Sequence, residues 1–321
     1  MPGADRPDPR EPAGGADGVS VVAAPRASGR DWLFLGLLGL IWGGSFLGVE
    51  LALTGFGPLT IAAARIAMAA LLLGAIAAMQ GGLPRWSAPQ GKRIWGHILV
   101  MALFTNAIPF CLLSWAQREV SSGFAGITMA AVPLMVLPLA HLMVPGERMD
   151  TRRAVGFLTG FAGVVVLIGP DGASGGGDAI HRIACVAASA CYAIGSINTR
   201  LCPPVGLIAY SAAGLMVAAL VLVPTALVIE GVPALPGLTA FGGLLYLGLL
   251  PTALATWMLV SVTRSAGPSF LSLVNYQVPI WAVLLGVTVL GEAVPPTFAL
   301  ALLLIVAGLA VSRPRAQRLG P

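Results

Sequence analysis

Ten apolar blocks run through this chain, near 33–53, 59–79, 94–115, 122–143, 154–169, 180–198, 206–228, 238–262, 268–289 and 296–312. Most are close to the length of about 20 residues that an α-helix needs to cross roughly 30 Å of hydrocarbon. In lipid the backbone must satisfy its own polar groups, which a helix does and an open strand does not. The pattern therefore predicts an all-α integral membrane protein with ten transmembrane helices, its first partner being the lipid bilayer. Composition excludes a water-soluble globule: 57% of the 321 residues are hydrophobic and only 10% are charged, against roughly 25% charged in soluble domains.

The net charge of +5 does not point to nucleic acid, because the basic residues are scattered between apolar blocks without an aromatic-interleaved patch or recognition helix. Topology explains them better. Short loops rich in Lys and Arg stay in the cytoplasm. With the N-terminus inside, the inside segments hold Arg6, Arg10, Arg26, Arg30, Arg85, Lys92, Arg93, Arg148, Arg152, Arg153, Arg200, Arg264, Arg313, Arg315 and Arg318, all but three of the 18 basic residues. Arg118 falls in an outside loop, and Arg65 and Arg182 fall within or at the ends of apolar blocks. Both termini are thus expected in the cytoplasm of a multi-pass protein of the inner or plasma membrane.

Residues 1–31 are polar and rich in Pro, Gly and Ala, and the apolar run that follows is too long for the core of a signal peptide. A disordered cytoplasmic tail is expected there. Cys111, Cys185, Cys191 and Cys202 lie in or beside apolar blocks without a CxxC pair, which suits small packing residues.

The second half of the chain echoes the first. Residues 118–133 (REVSSGFAGITMAAVP) align without a gap to 264–279 (RSAGPSFLSLVNYQVP), matching Arg118 to Arg264, Phe124 to Phe270 and Pro133 to Pro279. Gly146-Glu147 answers to Gly291-Glu292, Ala162-Gly163 to Ala307-Gly308, and upstream Pro109 and Trp115 match Pro251 and Trp257. Each half holds five spans, an odd number, so the halves lie in opposite orientations. Two inverted five-helix repeats are an architecture of secondary transporters.

Ten spans in two halves, with Trp42-Gly43-Gly44-Ser45-Phe46 in the first, Pro58 followed by Arg65 in the second, and Pro133 followed by Gly146-Glu147-Arg148, resemble the drug/metabolite transporter superfamily, EamA type, over residues 33–312. The chain accordingly divides into the tail 1–31, a first EamA-like repeat 32–170, an extracytoplasmic linker 171–179, a second repeat 180–312 and a cytoplasmic C-terminal tail 313–321. Two departures stand out: Tyr192-Ala193-Ile194-Gly195-Ser196 replaces the tryptophan motif in the second half, and Glu50 puts an acid in the first helix. The resemblance implies a central cavity between the third, fourth, eighth and ninth helices with the first and sixth, and export of a small solute coupled to proton influx.

Several residues are candidates for that cavity. Glu50 and Arg65 are intramembrane charges on consecutive helices joined by a short turn, where contact is easy. They are read either as a structural pair or as a gate or proton-coupling site, since a charge at mid-helix costs about 2.5–3.5 kcal/mol and normally faces a partner or a cavity. Asn275, Tyr276 and Gln277 lie near the centre of the ninth helix, as interhelical hydrogen bonders or substrate contacts. Pro109, Pro133, Pro251 and Pro279 are expected to interrupt four helices at corresponding places, the best sequence pointer to a transporter site. Trp42, Trp115, Trp257 and Trp281 offer faces for stacking on a substrate, while Trp32, Trp86 and Trp95 suit interfacial anchors. Ser45 and Asn106 complete the candidate substrate-binding groups. Gly39-xxx-Gly43 and Gly156-xxx-Gly160 permit close helix approach.

No GxxxxGK[ST] loop is present to bind phosphates, no HExxH or acidic cluster to bind a metal, and His97, His141 and His181 are far apart. No cofactor and no enzymatic activity are expected. A secondary-active exporter of a small metabolite, amino acid or drug-like solute by alternating access is the leading reading. An uncoupled facilitator or exchanger, and a non-transporting regulatory membrane protein, are the alternatives. A monomer would suffice, because one chain holds both halves, and a dimer is compatible.

Overall fold

A computed structural model describes residues 27–169 and 176–312. The expected tail up to residue 26, residues 171–175 of the expected linker and the tail 313–321 lie outside the described residues, as do Arg6, Arg10, Arg26, Arg313, Arg315 and Arg318. Among the described residues helix is the only regular structure. Eight helices are long and apolar enough to cross a membrane: α1 (Gly29–Leu53), α2 (Pro58–Met79), α3 (Gly91–Ala116), α4 (Ser122–Met143), α5 (Thr151–Ile168), α6 (Ala179–Leu201), α7 (Leu207–Ile229) and α8 (Leu238–Thr263). Two shorter apolar helices, α9 (Val274–Leu290) and α10 (Pro296–Ser312), complete ten.

Local chemistry sets the ends. Ser28 and Asp31 form a reciprocal capping box at the start of α1, with Ser28 N donating to Asp31 Oδ2 at 2.8 Å. Asp150 caps α5 by accepting from Arg153 N at 2.7 Å. Gly291 closes α9 at φ 69°, a left-handed conformation that disfavours a side chain.

The third, fourth, eighth and ninth spans each depart from a regular helix, but not always at the proline expected to interrupt it. Helix α3 widens into a π segment at Ala102–Ala107 and α8 into another at Leu249–Leu254. A π turn leaves carbonyls short of their usual partners, and a side chain staples each segment: Asn106 Nδ2 donates to Met101 O at 3.3 Å and Thr252 Oγ1 to Leu247 O at 3.1 Å. Pro251 lies inside its π segment, whereas Pro109 follows its own, so the two prolines enter the widened turns at different points. Helix α4 breaks at Ala130–Ala131, two residues before Pro133. The ninth span, expected as one helix over 268–289, is instead a single turn (Pro268–Leu271), a non-helical pair and then α9, with Pro279 inside the continuous helix. A proline can be carried within a helix when neighbouring groups take up the freed carbonyl, so Pro279 does not mark the break.

The packing follows the inverted repeat. Helix α1 packs mainly on α8 and α9 of the second half, and α6 mainly on α3 and α4 of the first. The equivalent helices α2 and α7 pack on each other, as do α5 and α10. Each half thus inserts its first helix into the other. Small residues allow the approach, because helix association in lipid rests on close van der Waals contact. A Cβ at Gly43 would lie 2.5 Å from Trp281 Cβ and 2.8 Å from Val278 O, and one at Gly163 would lie 2.8 Å from Ala301 O.

Candidate functional site

Arg65, on α2, is one of the buried charges, only 6% exposed. Its guanidinium carbon lies 3.9 Å from the centroid of the Phe110 ring, on α3. Tyr192 of α6 and Tyr246 of α8 stand within electrostatic range. Four helices from both halves therefore meet around one cation. Its Nε has no hydrogen-bond partner.

The expected Glu50–Arg65 contact is not formed. Glu50 Oε1 accepts from Gln117 Nε2 at 3.1 Å, and the same amide donates to Phe46 O at 2.9 Å. The reason is axial register. Arg65 lies seven residues beyond the start of α2, about 10 Å along the axis, while Glu50 lies three residues before the end of α1, about 5 Å. Helix α1 also packs against α8 and α9 more than against α2. Among the described residues the ion pairs are those of Glu147 with Arg153 and Arg200.

Glu50 lines a cavity of about 720 Å³ at the face that carries the α1–α2 turn, with Leu53, Thr54, Phe56, Gly57, Pro58, Gln117, Arg118 and Glu230. The acids around this mouth act as clasps between the halves. Glu230, just past α7, accepts from Leu59 N at 2.9 Å, Thr60 N at 2.8 Å and Thr60 Oγ1 at 2.7 Å. Glu292, between α9 and α10, accepts from Ser122 N at 2.8 Å and Gly123 N at 3.1 Å at the start of α4. A carboxylate at a helix N-terminus satisfies orphan N–H groups and complements the helix dipole.

The opposite face is closed by different chemistry. Glu147 accepts from Arg200 Nη2 at 2.8 Å and from Arg153 Nη1 at 2.9 Å, and these bonds, that of Arg200 first, hold its carboxyl below the usual range. Arg30 donates to Ser261 Oγ at 2.8 Å, and Asp31 accepts from Ser265, tying the start of α1 to the end of α8. Asn198 donates to His97 O at 2.9 Å and to Tyr210 Oη at 3.0 Å, joining α6, α3 and α7.

The other sequence candidates divide between the seams. Trp42 Nε1 donates to Pro251 O at 3.1 Å, across the halves, and Ser45 Oγ donates to Trp42 O at 2.6 Å. Gln277 and Trp281 lie against α1, beneath Gly39 and Gly43 respectively. Trp115 stacks on His181 of α6 at 4.2 Å between centroids, and Trp257 tilts against Phe34 of α1 at 5.5 Å. Each of these two tryptophans thus meets a ring on the other half's first helix. Asn106 is committed to its π staple, and Asn275 and Tyr276 occupy the first turn of α9 beside the break. Sequence reasoning missed Gln117, Phe110, Tyr246, Thr252 and Glu230. An acid immediately after an apolar run is the signal that could have singled out Glu230.

A family model described as "EamA-like transporter family" matches residues 31–169 and 181–313, once for each half. The "Uncharacterized inner membrane transporter YedA" of Escherichia coli is 27% identical over 269 residues, covering 83% of this chain and 85% of that one. The "Probable terminal-alkyne amino-acid exporter" of Streptantibioticus cattleyicolor is 28% identical over 267 residues, 79% of this chain and 84% of the relative. "Protein PecM" of Dickeya dadantii is 26% identical over 253 residues, 77% and 80% of the two chains. A solved protein crystal structure matches with a TM-score of 0.61 at 22% identity, covering 88% of this chain and 96% of that one. That last likeness is one of fold.

Proposed function

We propose that this chain, which belongs to the EamA-like transporter family, is a secondary carrier that exports a small solute by alternating access in exchange for protons. Membership makes it a membrane transporter. The direction, the coupling and the mechanism are our reading.

One observation carries the coupling: the carboxyl of Glu50 lines an open cavity at one end of the bundle and is held by a neutral amide. An acid paired with arginine would lose an ion pair on protonation. Glu50 loses only part of a shared hydrogen bond, and Gln117 Oε1, buried without a donor, is an acceptor that a protonated carboxyl can use. Two halves that each lend a helix to the other can rock about the centre, where Arg65 and the π segments lie. With the basic loops inside, the Glu50 cavity faces away from the cytoplasm and both termini face it. A solute class of metabolites, amino acids or drug-like molecules suits the aromatic and amide groups along the seams, and one relative is named as an amino-acid exporter.

Purified protein in liposomes, assayed for counterflow of labelled amino acids, amines and cationic dyes with an imposed pH gradient, tests this. Saturable movement driven by the gradient in wild type, and indifferent to it in Glu50→Gln, is expected. Movement indifferent to the gradient in wild type would make the chain a facilitator or exchanger. Binding without any movement would remove the carrier reading.

A further inference from the structure

Among the described residues no carboxylate answers the charge of Arg65. A guanidinium stays protonated under all ordinary conditions, and an isolated one inside the membrane is expensive. Arg65 is 6% exposed, its Nε lacks a hydrogen-bond partner, and no described carboxylate pairs with it. The acids nearest the same end are already engaged: Glu50 with Gln117, Glu230 with the start of α2, Glu292 with the start of α4. Phe110 lies 3.9 Å from the guanidinium carbon, and a ring face recovers part of the desolvation penalty. It supplies no hydrogen-bond acceptor in the guanidinium plane. Arg65 is therefore a cation supported by a ring and left with donors unused.

We infer that Arg65 is the anchor for the carboxylate of the transported solute, with Phe110, Tyr192 and Tyr246 surrounding the solute's apolar body. The inference rests on the carrier reading and narrows it: the cargo carries a carboxylate next to an aromatic or apolar group, and an amine alone is a poor ligand. The position fits a site loaded from one face at a time. Pro58 lines the cavity mouth, and Arg65 lies seven residues further along α2, about 10 Å deeper. A solute entering past Glu50 reaches Arg65 when the seam between the halves parts. A planar guanidinium then meets a carboxylate through paired N–H donors. The four helices that present these groups, α2, α3, α6 and α8, come from both halves, so the same bound solute touches both moving parts.

The test uses three probes that share one ring: phenylacetate, phenylalanine and phenethylamine. Thermal unfolding of the purified full chain is followed during titration with each, and counterflow of each is measured in liposomes. Phenylacetate and phenylalanine are expected to stabilise wild-type protein saturably, and phenethylamine is not. Half-saturation for the carboxylates should weaken about tenfold to a hundredfold in Arg65→Gln and less in Arg65→Lys. Phe110→Leu, which keeps the charge, should weaken phenylacetate and phenylalanine less than Arg65→Gln does. Stabilisation by phenethylamine equal to that by phenylacetate, or by none of the three, overturns the inference, and the wild-type comparison stands even where a variant fails to fold. If amines or dyes undergo counterflow that Arg65→Gln leaves intact, the carboxylate anchor fails while the carrier survives; if nothing crosses, the carrier reading itself fails.

Discussion

At the residue scale the two Glu residues of the repeated Gly-Glu pair do different work, and their variants should separate accordingly. Glu292 bonds two backbone N–H groups at the start of α4, so Glu292→Ala should lower stability by about 1 kcal/mol, read as a fall in the thermal midpoint of purified protein. Glu147 sits between partly exposed arginines, where pairs contribute about 0.2–1 kcal/mol. Because its folded-state carboxyl is held below the ordinary 4.5 by Arg200 and then Arg153, that contribution is complete above the ordinary value. It is lost as pH falls through the lowered one. Glu147→Gln should therefore cost little at neutral pH and flatten the acid side of the thermal midpoint's pH profile. The charges themselves were legible in the sequence, since Glu50 and Arg65 interrupt apolar blocks. Their partners were not: Gln117 lies 67 residues from Glu50, and a short turn between two helices says nothing about their axial register.

Helices carry the next layer. Thr252→Val removes the hydroxyl that donates to Leu247 O beside Pro251 while keeping the side chain's shape, and should destabilise by about 1 kcal/mol. Loss of hydrogen-exchange protection confined to the turn around Leu249–Leu254 would distinguish this from a global effect. Gly43→Val should be far more damaging, because the new side chain meets Trp281 and the Val278 carbonyl. Overpacking of this kind costs about 1–3 kcal/mol or more, and the yield of monodisperse protein after solubilisation measures it. The ten spans were readable from block length alone, and the small-residue spacings pointed to the right seams. The π segments were not readable, because a six-residue widening leaves the apolar run unbroken. The break before Val274 was hidden for the same reason, while Pro279 drew attention to a stretch that is helical.

For the whole molecule, the inverted repeat was legible as a constant offset between 118–133 and 264–279, and the orientation of the halves follows from five spans in each. The exchange of α1 and α6 between halves was not legible, since the repeat specifies equivalent helices and leaves their neighbours open. That exchange matters for mechanism: the acid clasps at one face and the Glu147–Arg200 pair at the other both span the halves, so a rocking motion must loosen one set as it closes the other. The most direct measurement places spin labels at Thr54 and Val232 on the Glu50 face, and in a second sample at Arg148 and Pro204 on the opposite face. All four positions are exposed, and the labels go on protein whose four free cysteines have been replaced by serine or alanine. Distance distributions are then compared in liposomes with and without an imposed pH gradient. Alternating access predicts opposite changes, one face's distance lengthening as the other's shortens. Distances that stay fixed at both faces, or that lengthen together, in protein competent for counterflow would contradict it.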